Sequence, residues 1–224
     1  MTFQRARSEE QREIRRRAIL DTARSMLDEM PASEVGLNEL SRRVGLAKSN
    51  VLRYFESREE VLLELLTDAL EVWIAEVSQE LAAGVDARLP AGERGDQMAA
   101  ILGRSLARHT VLCDLANAQA GVLEHNVSVD VVLRHKRSAV ANLGTVVELL
   151  HHHLPELGDN ARTVCMTTLV LAGAMSTYSR PSASTLAAYD ADPTLAAVQL
   201  DLGSGLEGAL SLLIAGALTR PGTS

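Results

Sequence analysis

Between residues 45 and 62 the chain reads GLAKSNVLRYFESREEVL, and five side chains in it can bond to a nucleic acid. Lys48, Ser49, Asn50, Arg53 and Tyr54 fall within seven positions, interleaved with Val51, Leu52 and Phe55. Turned at about 100° per residue, Val51, Leu52 and Phe55 make one apolar face, and Ser49, Asn50, Arg53 and Tyr54 take the other side. Lys48 falls near the apolar side by angle, but it is the first helical residue and its stem can swing outward. The polar group therefore points to solvent or to a partner. An arginine pairs with guanine O6 and N7, an asparagine with adenine N6 and N7, and a serine with a base or a phosphate. Lys48 and Arg58, each near a helix amino terminus, suit phosphate oxygens.

A side chain reads a base only if a rod carries it into the groove. The preceding segment LNELSRRV has Leu37, Leu40 and Val44 on one side and is closed by Gly45. A helix at about 37–44, a short turn containing glycine and a second helix at about 48–55 make a helix-turn-helix, whose second helix can enter the major groove. Upstream, Ile14, Ala18, Ile19, Ala23, Met26 and Leu27 form the stripe of a first helix that ends near Met30-Pro31. Downstream, helical periodicity predicts one long helix over about 58–83 and further helices at roughly 93–107, 111–122, 128–153, 158–179 and 193–219. PSASTLAAYDADP (181–193) reads as a polar connection bounded by prolines. No period-two strand pattern stands out. The expected fold is all-α: an amino-terminal three-helix domain over residues 1–57, then a helical bundle over residues 58–224.

The totals agree. The 224 residues are 46% hydrophobic but only 3% aromatic, so the core must be built of Leu, Ala and Val. The formal net charge of −7 is uneven: residues 1–60 carry net +1 and the remainder −8, which marks the amino-terminal part as the side for a polyanion. Two cysteines, Cys113 and Cys165, without paired spacing fit a reduced cytoplasmic protein. The first seventeen residues hold six arginines and no apolar run, so no secretory leader is expected. The longest apolar runs, at 164–178 and 206–218, fall short of the ~20 residues a bilayer span needs, and no membrane partner is expected.

The stretch from Arg12 to Leu66 resembles the amino-terminal domain of TetR-family transcriptional regulators. The resemblance rests on the arginine-rich first helix ending in AILDTARSMLDE and on LNELSRRVGLAKSNVLRYFESREEVLLELL. Gly45, Lys48, the pair Tyr54-Phe55 and the run Ser57-Arg58-Glu59-Glu60-Val61-Leu62 are its most specific features. The chain departs from the family at Gly36 and Ala47, where hydroxyl-bearing caps are usual, and at Leu52, where a tyrosine is common. Losing a Ser cap to Ala costs roughly 1 kcal/mol. On the wheel Leu52 faces inward.

The resemblance implies that residues beyond about 67 bind an effector and dimerise. The last two helices, LVLAGAMSTY (169–178) and LGSGLEGALSLLIAGAL (202–218), carry enough small and apolar residues to pair two copies as a homodimer. Candidate pocket residues, chosen for unusual type on the helices expected inside, are Trp73, Met98, Cys113, Asn117, Met166 and Tyr178. With few aromatics, the cavity should be largely apolar with one or two polar anchors. The function read here is a double-stranded-DNA-binding regulator, most simply a repressor released from a pseudo-palindromic operator by a small apolar effector. The alternative is a helical ligand- or protein-binding module that does not read DNA.

No catalytic motif, cofactor site or metal site is expected. Gly203-Ser204-Gly205-Leu206-Glu207-Gly208 spells GxGxxG but follows no strand, and close helix packing explains it better. His151-His152-His153 diverge by about 100° each and cannot converge on one ion. Cys113 near His109 lacks a third group.

Overall fold

The computed structural model describes residues 2–220, and among them no strand occurs. The protein is all-α. Its helices are α1 (Thr2–Glu29), α2 (Leu37–Val44), α3 (Lys48–Val51), α4 (Arg58–Gly84), α5 (Ala91–Arg108), α6 (Thr110–Ala118), α7 (Val129–His153), α8 (Asn160–Tyr178), α9 (Ala183–Ala191) and α10 (Leu202–Leu218). A π-helical turn, Gln119–Leu123, follows α6. Two compact units result, one of Met1–Asp68 with Ala118–Lys136, the other of Ala69–Asn117 with Arg137–Ser224.

In the first unit, Ile19, Leu20, Ala23, Met26 and Leu27 of α1 are buried with Leu40, Val51, Phe55, Leu62, Leu63 and Leu66. The stripe expected on α1 is right from Ile19 onward and wrong before it. Ile14 is 62% exposed and Ala18 is exposed, because apolar partners begin only a turn later. Arg16 takes the place of an apolar residue at that level. Its guanidinium lies 4.5 Å from the centroid of the Phe55 ring and pairs with both oxygens of Glu64.

Local chemistry sets the boundaries. Gly45 adopts φ 71°, a left-handed conformation that glycine reaches without strain. Its N–H donates to Arg42 O and that of Leu46 to Ser41 O, closing α2 with a Schellman turn. Neither Gly36 nor Ala47 makes a side-chain cap bond to its helix. Ser57 compensates further on. Its Oγ accepts the Glu60 N–H at 3.2 Å while the Glu60 carboxylate reaches back to Glu56 N at 2.6 Å, a variant capping box that starts α4.

The second unit is organised by α5 and α10. At Gly103 a methyl group would stand 2.8 Å from Glu207 N and 3.0 Å from Gly203 O, so the two backbones touch there only because glycine has no side chain. The GxGxxG run is therefore a helix-packing element within α10. Arg94, almost wholly buried, donates to Leu89 O and His153 O and pairs with Glu156. It thereby satisfies one carbonyl oxygen at the carboxy terminus of α7 and one in the loop before α5.

Two expectations need correction here. The connection at 181–193 contains a helix, α9, and the last helix starts at Leu202, not near 193. Side-chain caps explain both: Ser182 Oγ accepts from Thr185 N at the head of α9, and Asp201 Oδ1 accepts from Ser204 N at the head of α10.

Candidate nucleic-acid interface

Lys48, Ser49, Asn50 and Arg53 are exposed, Tyr54 is half-buried, and Val51 and Phe55 are sealed beneath them. The outward cluster and the inward anchors separate as the apolar spacing requires. Leu52 is the exception. It is 42% exposed, because the buried arc centres on Val51 and Phe55 and leaves Leu52 on its shoulder.

The rod is also shorter than the eight residues expected. Regular α-helix ends at Val51, after which i to i+3 bonds (Arg53 N to Asn50 O at 3.3 Å, Tyr54 N to Val51 O at 2.9 Å) mix with an i to i+4 bond from Phe55 N to Val51 O at 3.2 Å. Asn50 and Arg53, three residues apart on this turn, are both exposed on its outward side.

Within residues 37–58 the free cations are few. Arg42 and Arg43 share the Glu39 carboxylate, whose pKa their hydrogen bonds pull down to about 2, and Arg43 also bonds Glu29 at 2.7 Å. Arg58 is similarly engaged: it donates to Ser33 O and Val35 O and bonds Glu59 at 2.9 Å, bracing the loop before α2. Lys48 and Arg53 form no ion pair among the described residues.

The pocket candidates scatter. Trp73, Met98 and Cys113 are buried in the second unit. The Cys113 thiol donates to Leu106 O, and burial pushes its pKa up to about 11, which makes it a poor nucleophile. Asn117 is exposed and donates to Thr177 Oγ1 at 3.1 Å. Met166 and Tyr178 are not inside: at 51% and 75% exposure they lie on the outward side of α8. That helix buries Ala161, Val164, Cys165, Thr168, Ala172 and Ser176, and the two larger residues project away from this face.

Residues 67–221 match the family model for the C-terminal domain of tetracyclin repressor-like proteins, and residues 19–65 match that for bacterial regulatory proteins of the tetR family. The chain belongs to the TetR family. It is a DNA-binding transcriptional regulator. Solved TetR-like structures share the fold. The fatty acid degradation regulator FadR of Bacillus halodurans is 14% identical at a TM-score of 0.53, over 90% of this chain and 95% of that one. FadR of Bacillus subtilis in complex with stearoyl-CoA is 15% identical at 0.53, over 89% and 97%. A TetR/AcrR-family regulator of Thermobifida fusca YX-ER1 is 18% identical at 0.51, over 90% and 97%. No curated protein matches the chain significantly.

Sequence reasoning missed other TetR-domain residues. Arg16 and Glu64 hold α1 against α4, and a lone Arg in an apolar stripe was the available signal. The Ser-x-x-Glu spacing at 57–60 was legible as a cap. In the second unit, Trp73 Nε1, Ser105 Oγ and Asn142 Nδ2 are buried without a hydrogen-bond partner, which no sequence pattern announces.

Proposed function

We propose that the protein is a dimeric repressor that reads a pseudo-palindromic operator with Lys48, Ser49, Asn50, Arg53 and Tyr54 and leaves it when an apolar effector binds. The observation that carries the reading is the outward display of Asn50 and Arg53 over the buried Val51 and Phe55, with Lys48 and Arg53 unpaired. Arg58 acts beside them by holding the loop before α2. In this reading residues 1–57 recognise DNA and residues 58–224 bind the effector and the second copy, in the cytoplasm and without a catalytic step.

A second copy is favoured by the outward sides of α8 and α10. Leu212 is 79% exposed, with Met166, Val170 and Tyr178 exposed on α8. Around Gly208 and Gly216, at i−4 and i+4 from Leu212, nothing stands within 4 Å of the missing Cβ. A knob between two hollows is self-complementary, which suits a two-fold interface. Such a dimer sets two reading helices about 34 Å apart, one turn of DNA.

In this reading the effector enters the core beside the buried Trp73 and Met98, which would give it apolar wall, and the bare N–H groups of Trp73 and Asn142 favour a ligand that brings hydrogen-bond acceptors. A fatty acyl thioester, of the kind held by the Bacillus subtilis protein, meets both demands. Release then follows from the effector's preference for a state whose reading helices no longer fit successive grooves.

The test is selection of bound sequences from random DNA, followed by titration of the winner with and without stearoyl-CoA and other apolar metabolites. An inverted repeat that binds at least a hundredfold better than scrambled DNA is expected. Equal affinity for both rejects base reading, and protection of a single half-site at saturation rejects the dimer.

A further inference from the structure

Leu52 is 42% exposed, and the side chains exposed around it, Lys48, Ser49 and Arg53, are all polar. Its N–H bonds Lys48 O at 3.0 Å, so the chain still makes an α-helical turn here. Leu52 therefore stands beside Lys48 and Ser49, four and three residues back, on one side of the motif. Val51 and Phe55 fill the core beneath and leave no room for it there. A lone exposed leucine is ordinary on a protein surface. This one is different, because it adjoins the side chains that meet DNA.

The chemistry of the side chain narrows what it can meet. Leucine has no donor, so it bonds neither a phosphate oxygen nor a base acceptor. Laid on a phosphate, it would displace water without replacing the lost hydrogen bonds. Laid on a C·G pair, it would strip the cytosine amino group of water in the same way. Among the groups that the base pairs present in the major groove, one is apolar: the C5-methyl of thymine.

We propose that Leu52 packs against the C5-methyl group of a thymine in the operator and so selects a T·A pair through hydrophobic contact. The inference rests on the base reading proposed above for Asn50 and Arg53, and adds to it a specificity-determining residue of another chemistry.

The test uses the full chain and the operator obtained by selection from random DNA. Each thymine is replaced in turn by deoxyuridine, which lacks the methyl group and keeps every hydrogen-bonding atom. One replacement should weaken binding of the parent protein about fourfold, the worth of one buried methyl. The same replacement should leave the affinity of Leu52→Ala unchanged. Selection repeated with Leu52→Ala should lose the preference for thymine at that position and keep the preferences elsewhere, at an unchanged melting temperature. If the parent prefers its operator to scrambled DNA but no replacement acts differently on parent and variant, the thymine contact is overturned and base reading by Asn50 and Arg53 stands. Equal weakening of operator and scrambled DNA by Leu52→Ala would put the side chain on the sugar-phosphate backbone and overturns the contact too. A parent that binds both DNAs alike overturns base reading and the contact together.

Discussion

Arg134 Nη2 donates to Glu60 Oε1 at 2.7 Å and so fastens α7 to the first turn of α4, the helix that follows the reading motif. Glu60 is nine-tenths buried and accepts the Glu56 N–H with its other oxygen, whereas Arg134 is mostly exposed. The two partners should not weigh alike. Glu60→Ala leaves the Glu56 N–H and a guanidinium without an acceptor and should cost about 1–3 kcal/mol. Arg134→Ala removes a pair that water can largely replace and should cost under about 1 kcal/mol. Urea denaturation measures both, and equal losses would mean that the ion pair outweighs the cap.

On the reading face, Arg53→Ala should weaken binding to the selected operator by ~1–3 kcal/mol and relax preference at one base pair. Lys48→Ala should weaken all sequences alike and lower the slope of log affinity against log salt by ~1. Titrations at four salt concentrations on operator and scrambled DNA separate the two. Equal loss on both DNAs for Arg53→Ala would remove that residue from base recognition.

Where the sequence was legible, the deciding chemistry was local. Pro31, Gly45 and the Ser57–Glu60 pair act on their own backbone, and α1, α2 and α4 end or begin beside them. The exposed cluster was legible because Val51 and Phe55 pin one side of a short rod. Other features depend on distant neighbours. Leu52 and Ile14 are apolar but stay largely uncovered, and α8 is apolar on so many sides that no wheel tells Met166 and Tyr178 from true core. α3 is short because mixed turn bonding takes over after Val51, and α9 arises from the Ser182 cap, in segments too short for periodicity to speak.

The glycines of the second unit divide into two kinds that substitution can separate. Gly103→Ala drives a methyl into the backbone of α10 and should destabilise the fold by about 1–3 kcal/mol. Gly216→Leu meets open space, gains helix propensity and should leave the protomer at least as stable. It also fills a hollow beside Leu212, so the dimer should dissociate at lower dilution. Thermal melts read the first effect and sedimentation velocity the second. A Gly216→Leu protein that dimerises as tightly as the parent would place the interface elsewhere.

His135 gives the first unit a pH dependence of known sign. Its ring is almost wholly buried, with Nδ1 3.4 Å from Thr67 Oγ1 and Nε2 without a partner. Burial holds its pKa below the usual 6.5, and Lys136 adds to the effect while Glu124 opposes it. The folded state thus takes up the proton less readily than the unfolded one. Stability should be full above about pH 6.5 and fall as the pH drops from there through the lowered folded pKa. His135→Gln, which cannot take up a proton, should lose that slope while the acid losses due to carboxylates remain. Chemical denaturation between pH 5 and 8 on both proteins decides it: parallel curves would mean that His135 charges as easily folded as unfolded, and that water reaches its ring.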